Sequence, residues 1–343
     1  MAARVTAFAP GRVNLIGEHT DYNKGLALPF AIGAGVTVRG AALPGNRIEA
    51  VAADLDARDS FTLGRQRRVP GWRAFVRGAA AELHRAGFAL RGARLVIRGN
   101  VPRGAGLSSS AALEVAVCLA LLGCGDAPDP DRIELAKLCS RIENEWVGAR
   151  TGLLDQLASL FGERDRALLI DFRSLDVAPV ALELAGYKLV TLDSGERHAN
   201  AASGYNERRA ECARACAQMG IMSLRDATLD MAERLPSPLA DRARHVITEN
   251  ERVEETVAVL RIGDLERVGA LLDASHASLR DCYAISTPAV EAAVARLKDA
   301  GAIGARLVGG GFGGNVLGLL PPGAQAPAGA IDVRPSPGAR LLR

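Results

Sequence analysis

Three glycine-rich segments carry the side chains that could do chemistry. The first, residues 9–25, follows a short apolar run and includes Arg12, Asn14, Glu18, His19 and Asp21. This mixture of donors and carboxylate acceptors suits a ligand rich in hydroxyl groups, because each buried hydroxyl must both donate and accept a hydrogen bond. A solvated turn is the alternative, since Gly and Asn are common turn residues. The density of polar side chains favours a binding loop.

The second segment, residues 101–114, has the sequence VPRGAGLSSSAALE. Gly104 and Gly106 let the backbone curve closely around a guest, because they have no Cβ. The serines that follow place free amides at the start of a predicted helix, where the helix dipole favours anions. This arrangement suits a polyphosphate with its cation. The Gly-Lys-Ser/Thr of a Walker A loop is absent. A dinucleotide fold is a weak alternative, because Ser109 stands where GxGxxG needs its third glycine.

The third segment, residues 306–318, has the sequence RLVGGGFGGNVLG, with five glycines in six residues. So many glycines cannot form the interior of a sturdy helix or strand. A floppy loop is one reading of such a segment. Apolar, strand-like residues flank the glycines tightly on both sides, and we therefore predict a constrained turn that lies close to a ligand or to another backbone.

Apolar periodicity predicts the elements that must position these segments. Strands are expected at residues 5–9, 26–32, 35–42, 47–52, 94–98, 167–171 and 188–193. Helices are expected at residues 72–86, 109–122, 131–147, 206–219, 226–231, 238–263, 264–281 and 288–301. Strands and helices are interleaved up to about residue 171, and helices predominate afterwards. This order predicts an α+β protein with two domains, residues 1–175 and 176–343.

Composition excludes several classes of protein. The 343 residues are enough for about two domains of ordinary size. Their net charge of +3 gives no basis for nucleic-acid binding, which usually needs clustered positive charge. The longest apolar runs, such as residues 115–123, are shorter than the ~20 residues of a membrane helix. The six cysteines form no CxxC pair, so we expect reduced thiols and a cytoplasmic location.

In their order and separations, the three segments resemble the three motifs of the GHMP small-molecule kinases. The first, GRVNLIGEHTDYN, is similar to the signature of the galactokinase branch of that family. Residues 152–156, GLLDQ, resemble the segment with the family's catalytic aspartate, and residues 167–175 resemble the strand that follows it. Residues 198–209 and 278–281 also match. The resemblance therefore covers the chain nearly from end to end.

This resemblance implies a two-domain GHMP kinase fold, with an N-terminal GHMP domain at residues 1–175, a C-terminal GHMP domain at residues 176–343 and the active site in the cleft between them. The implied reaction transfers a phosphate from ATP, with Mg²⁺, to the C1 hydroxyl of α-D-galactose. By position, the catalytic pair is Arg12 and Asp155. The implied sugar-binding residues are Glu18, His19, Asp21, Gly152 and Tyr205.

The remaining implied residues concern the nucleotide and its metal ion. Backbone amides of the second segment would hold phosphates, at Gly104, Ala105, Gly106, Leu107, Ser108, Ser109 and Ser110. Ser110 and Glu143 resemble the ligands of Mg²⁺. Trp72 and Phe75 resemble the aromatic pair that lines the adenine pocket.

Elementary chemistry limits what the implied catalytic pair can do. A neighbouring Arg12 cation would stabilise the ionised form of Asp155 and make it a weak base. We therefore expect the carboxylate to orient the sugar hydroxyl and to take its proton late, while a fully base-catalysed attack stays open. Sugar choice is expected to rest on Asp21 and its polar neighbours, with galactose preferred over glucose.

Two other functions remain open from the residues alone. One is a kinase of the same fold that acts on N-acetylgalactosamine, arabinose or another sugar. The other is a catalytically silent sensor that binds galactose and ATP. The expected partners are small molecules, galactose and ATP, without nucleic acid or membrane, and protein partners stay open.

Overall fold

The computed structural model describes residues 4–101, 106–149, 151–197 and 201–342. The strands are β1 (Arg4–Asn14), β2 (Leu26–Ala27), β3 (Pro29–Ala42), β4 (Arg47–Ala52), β5 (Ala57–Thr62), β6 (Ala93–Gly99), β7 (Arg166–Asp171), β8 (Asp176–Ala181), β9 (Lys188–Arg197), β10 (Gly304–Leu307), β11 (Gly313–Leu320), β12 (Ile331–Val333) and β13 (Arg340–Leu342). The α-helices are α1 (Trp72–Arg85), α2 (Ser109–Gly125), α3 (Arg132–Arg141), α4 (Leu154–Phe161), α5 (Ala201–Met219), α6 (Leu229–Glu233), α7 (Leu239–Ile262), α8 (Leu265–Asp281) and α9 (Pro288–Asp299).

A six-stranded sheet supports the first half of the chain, in the order β13-β1-β3-β6-β4-β5. Only β4 and β6 run parallel; the other neighbours are antiparallel. Helix α2 packs on β1 and β3. It is predominantly apolar around its circumference, with Glu114 as the exception, and is buried from residue 114 to residue 122, as expected for a helix enclosed by its neighbours. The burial fixes the N-terminus of α2 beside β1.

The second half of the chain is built around a four-stranded antiparallel sheet, in the order β10-β11-β9-β12. Helices α8 and α9 pack on it, and α7 packs on α8 and α5. A small sheet, β2-β7-β8, adjoins α7 through β2 and β8. Because β2 directly follows the first glycine-rich segment, this contact brings helix α7 against the end of that segment.

Most predicted elements are present, with two corrections among the helices. The helix expected at 131–147 ends as α3 at Arg141, and Ile142–Val147 form a wider π-type turn. Gly148 adopts a φ of 89°, and the amides of Gly148 and Ala149 both donate to the carbonyl of Glu143. These bonds end the helical segment. The helix expected at 226–231 begins only at Leu229, because the Thr228 hydroxyl caps it.

The periodicity did not predict helix α4 or strands β5, β8, β12 and β13. Strands β10 and β11 were foreseen only as strand-like residues on both sides of the third segment. Strand β13 pairs with β1, so the last described residues return to the first sheet. The division into domains at residue 175 stays a prediction. In the described part of the chain, no helix is both long and apolar enough to span a bilayer.

Candidate active site

A cleft of about 400 Å³ brings together residues from both halves of the chain. From the first half come the first two glycine-rich segments and the residues around α4. From the second half come Tyr205 and Asn206 at α5, with Gly309 and Gly310 of the third segment. The three segments thus meet around one cavity, although they are separated by about 90 and 200 residues along the chain.

Arg12 and Asp155 form an ion pair in this cleft. A register shift in β1 between Pro10 and Arg12 precedes the arginine, and Asp155 lies in the first turn of α4. Nε and Nη2 of Arg12 lie 2.8 and 2.7 Å from Oδ1 of Asp155. Nη1 donates to the carbonyl of Gly106. The guanidinium is buried, while the carboxylate is 27% exposed and can contact a ligand.

The start of α2 forms the phosphate-loop side of the cleft. Gly106 and Ser108 have φ values of 72° and 58°, and this turn aims the residues that follow at the cavity. Gly11 in β1 leaves room for the loop, because a Cβ there would lie 2.4 Å from the carbonyl oxygen of Leu107. The Ser108 hydroxyl is buried without a hydrogen-bond partner in the described structure. Gly104 and Ala105, which were predicted to hold phosphates, lie outside the described residues.

A group of carboxylates lies beneath this loop. Nε2 of Gln156 donates to Oε1 of Glu114 at 2.7 Å and to Oε2 of Glu143 at 3.0 Å. Thr151 donates to the same Oε2 of Glu143 at 2.8 Å. Burial and the neighbouring Asp155 raise the pKa of Glu143 to about 7. Burial and Glu143 raise the pKa of Glu114 well above its usual range. A nearby cation would therefore stabilise the ionised forms of these carboxylates.

The donor set fits Mg²⁺. Glu143 and Ser110 both line the cleft, and both hydrogen bonds to Glu143 use one oxygen, Oε2. In the described ranges, no three side chains of His, Cys, Asp or Glu form a metal cage. Mg²⁺ usually takes one or two carboxylates together with phosphates and water, so a small protein contribution is what this ion needs.

The opposite side of the cleft is formed by residues 17–26, which we call the sugar loop. Oε1 of Glu18 accepts a hydrogen bond of 2.8 Å from the amide of Gly309 and lies 3.3 Å from Nη2 of Arg306. Burial, with a contribution from Asp155, raises the pKa of Asp21 to about 6. A Cβ at Gly152 would lie 1.8 Å from Oδ2 of Asp21, so any larger residue there requires the Asp21 side chain to move.

His19 ends a chain of hydrogen bonds between side chains. Its Nδ1 lies 2.7 Å from the Tyr22 hydroxyl, which lies 3.0 Å from that of Tyr283, and the Tyr283 hydroxyl lies 3.0 Å from Sγ of Cys212. Burial and the nearby His245 lower the pKa of His19 to about 3, so the ring is neutral. The ring lines the cleft, next to the backbone of Gly310.

A second cavity, of about 320 Å³, continues from the first. The two share Ser109 and Ser110. Trp72 and Phe75 of α1 line it, as predicted, and most of the other lining side chains are apolar. Its position beyond the phosphate-loop side and its apolar lining suit a flat heterocyclic base.

All the predicted site residues that the structure describes line one of these two cavities. Gly309 and Gly310 of the first cavity belong to the third segment, which was predicted to lie close to a ligand or to another backbone. Sequence reasoning missed the other lining residues, which are Ala149, Thr151, Leu154 and Asn206 in the first cavity and Val36, Ala52, Asp54, Leu55, Gly71, Ile97, Gly99, Val101 and Leu113 in the second. It also missed Glu114 and Gln156. Most of the missed residues lie inside or beside the quoted motifs. Their proximity to those motifs in the sequence was therefore the signal that could have identified them.

Comparison with known families agrees with this geometry. The model of the GHMP kinases N terminal domain matches residues 74–163, and that of the GHMP kinases C terminal matches residues 256–330. The galactokinase galactose-binding signature matches residues 2–42. These three matches include the sugar loop and the phosphate-loop side of the cleft.

Individual relatives are similar over most of their length. The galactokinase of Mycobacterium tuberculosis is 45% identical over 326 residues, which cover 91% of this chain and 88% of that protein. The galactokinase of Thermotoga petrophila is 39% identical over 317 residues, with 92% and 89% covered.

Solved structures extend the comparison to the fold. Lactococcus lactis galactokinase complexed with galactose matches with a TM-score of 0.92 and 32% identity, over 99% of this chain and 95% of that one. Methanococcus jannaschii mevalonate kinase shares the fold at a TM-score of 0.66 and 17% identity, over 98% of each chain. The chain belongs to the galactokinase family of the GHMP kinases.

Proposed function

We propose that the protein transfers the γ-phosphate of ATP to the C1 hydroxyl of α-D-galactose, giving galactose 1-phosphate and ADP. The observation that carries this proposal is the Arg12–Asp155 ion pair, which lies in one cleft with the sugar loop and the start of α2. The galactose bound in the similar Lactococcus enzyme supports the choice of sugar. The kinase family supports ATP as the co-substrate.

Arg12 and Asp155 would act by position and charge. Phosphoryl transfer needs the attacking hydroxyl in line with the phosphorus and compensation of the charge on the transferred group. Asp155 accepts a hydrogen bond from the C1 hydroxyl, orients it, and takes its proton as the bond to phosphorus forms. Arg12 spans Asp155 and the Gly106 carbonyl, so its charge lies where the sugar and phosphate subsites meet.

Glu143 and Ser110 would hold Mg²⁺ together with the phosphates. The bound ion supplies charge neutralisation for the polyphosphate. The protein's contribution is to keep the Glu143 carboxylate in place through Thr151 and Gln156. The amides at the start of α2 bind phosphate oxygens directly, since the helix dipole favours negative charge there.

Sugar recognition would rest on Glu18, His19, Asp21 and Tyr205. Glu18 and Asp21 accept hydrogen bonds from sugar hydroxyls, and the neutral ring of His19 completes the set. A site built for an axial C4 hydroxyl leaves buried polar groups unpaired when the epimer enters, which penalises glucose strongly. The Gly152–Asp21 contact keeps this pocket narrow.

A coupled assay of ADP release with a panel of sugars tests the proposal. We expect turnover with galactose to exceed that with glucose, N-acetylgalactosamine and arabinose by at least tenfold, and ³¹P NMR to show phosphate on C1. Faster turnover of another sugar would identify a kinase with a different substrate. Binding of galactose and ATP without ADP release would identify a sensor, and equal turnover of galactose and glucose would contradict the specificity.

A further inference from the structure

Helix α7 bonds the backbone at both ends of the sugar loop. The amide of Gly17 donates to Oε1 of Glu249 at 3.0 Å, and the amide of Leu26 donates to Oδ1 of Asn250 at 2.8 Å. A third contact comes from His245, whose Nε2 donates to the carbonyl of Glu18 at 3.1 Å. Because residues 245, 249 and 250 all belong to one continuous helix, a rigid element fixes the two ends together.

Glu249 is itself held from two helices. Ser275 of α8 donates to Oε1 at 2.7 Å, and Nε of Arg252 donates to Oε2 at 2.7 Å. The side chain is fully buried, which alone would raise its pKa, but Arg252, His245 and Arg306 lower the pKa to about 2. The acceptor for the Gly17 amide is therefore a fixed, ionised carboxylate across the physiological pH range.

Hydrogen bonds within the sugar loop also connect its two ends, independently of α7. The Thr20 hydroxyl lies 2.9 Å from the carbonyl of Gly17 and 2.7 Å from that of Leu26, so it ties the two ends to each other. Gly25 lets the closed loop approach the helix, because a Cβ there would lie 2.5 Å from Oδ1 of Asn250. The loop is thus a preformed unit, and α7 sets its place relative to the rest of the cleft.

Glu249 and Asn250 do not line the cleft, whereas Glu18, His19 and Asp21 between the bonded ends do. We propose that Glu249 and Asn250 are positioning residues for sugar recognition, which act by holding the sugar loop against α7. This inference rests on the proposed function, because it assigns a role in binding the sugar. It ties the affinity for the sugar to a helix from the second half of the chain.

Steady-state kinetics of Asn250→Ala test the inference. We expect the KM for the sugar to rise at least tenfold, while the KM for ATP and the kcat at saturating sugar stay within about threefold. The galactose-to-glucose preference should fall as well. Asn250→Asp keeps an oxygen that accepts from the Leu26 amide, so it should recover most of the lost affinity. Glu251→Ala, at an exposed position on the same helix, is the matched control and should behave as the parent protein.

Gly25→Ala approaches the same contact from the loop side and leaves the sequence of α7 unchanged, and its Cβ would also lie 2.8 Å from Cβ of Thr20 within the loop. It should raise the KM for the sugar selectively, and the double variant Gly25→Ala/Asn250→Ala should be no worse than the more severe single variant. An equal rise of both KM values, or an unchanged KM for the sugar in folded Asn250→Ala and Gly25→Ala proteins, would overturn the inference. The sugar panel is run first, so an error in the substrate appears as poor turnover of galactose by the parent protein and is distinguishable from these outcomes.

Discussion

The two sides of the cleft balance their charges in different ways. On the phosphate side, Glu114 and Glu143 share one amide, that of Gln156, and both have raised pKa values. On the sugar side, Glu18 contacts Arg306 and the Gly309 amide, while Glu249 contacts Arg252. On the sugar side the protein itself compensates Glu18 and Glu249, but not Asp21, whose pKa burial raises to about 6. The phosphate side holds two carboxylates with raised pKa values, whose negative charge a cation would relieve.

This difference indicates which part of the site is preformed. A compensated network of hydrogen bonds keeps its geometry before the ligand arrives, which lowers the cost of ordering on binding. Buried carboxylates that lack a cation instead take up protons or bind a metal ion. We expect the sugar side to respond mainly to changes of shape, and the phosphate side to changes of pH and metal concentration.

The largest effect is expected at the point where the two sides meet. Asp155→Asn should reduce turnover by orders of magnitude and keep the affinity for galactose within several-fold, because the amide can still bond the sugar but cannot take its proton. Coupled ADP release and calorimetric titration with galactose measure the two quantities. Asp129→Asn, at an exposed position, is the control. Normal turnover by Asp155→Asn would remove this carboxylate from the mechanism.

A change of shape should act on the sugar side alone. Gly152→Ala places a Cβ 1.8 Å from Oδ2 of Asp21, so Asp21 must move and kcat/KM for galactose should fall at least tenfold. The affinity for an ATP analogue, measured by calorimetry, should change less than threefold. Gly33→Ala is the matched control, because its Cβ would meet only Oγ of Ser336 at 3.5 Å. Equal losses for both ligands would contradict the division into two sides.

A change of pH should act first on the phosphate side. Glu143 must be ionised to bind a metal ion, and its pKa is about 7, so the affinity for an ATP analogue with Mg²⁺ should fall roughly tenfold per pH unit below 7. The affinity for galactose should begin to change only near pH 6, where Asp21 takes up a proton. Calorimetry between pH 8 and pH 5.5 measures both curves. Glu143→Gln should weaken the binding of the ATP analogue with Mg²⁺ and flatten the pH dependence of its affinity. If that pH dependence kept its steepness in the variant, a group other than Glu143 would cause it.

The smallest effect concerns stability. Raised folded-state pKa values such as that of Glu143 stabilise the protein as the pH falls from 7, because the folded state binds the proton more tightly than the unfolded state. The lowered pKa values of His19 and His245 destabilise the folded protein as the pH falls below about 6.5, because the unfolded state binds these protons more tightly. Between pH 7 and pH 5.5, Glu143→Gln should therefore lose on the order of 1 to 2 kcal/mol more unfolding free energy than the parent protein. Urea denaturation at the two pH values measures this difference, and equal losses would contradict it.

Local patterns predicted most of the fold that supports the site. The apolar residues of α2 and the capped starts of α8 and α9 lie close to their predicted bounds, because helix periodicity and capping are short-range properties. Helix α4 was missed, although it carries Asp155. It has only 8 residues, too few for a clear periodic pattern, and its place is set by packing on β1 and β3.

The sequence by itself determined which segments are candidates to line the cleft, because glycine, serine and charged residues have local consequences for backbone shape and polarity. Only the tertiary structure decided which of those residues meet. Arg12 and Asp155 are 143 positions apart, and Leu26 and Asn250 are 224 apart. The hydrophobic effect is non-directional, so an apolar pattern predicts that a face is buried but not which element covers it. Such pairs therefore follow only from the packing of the whole chain.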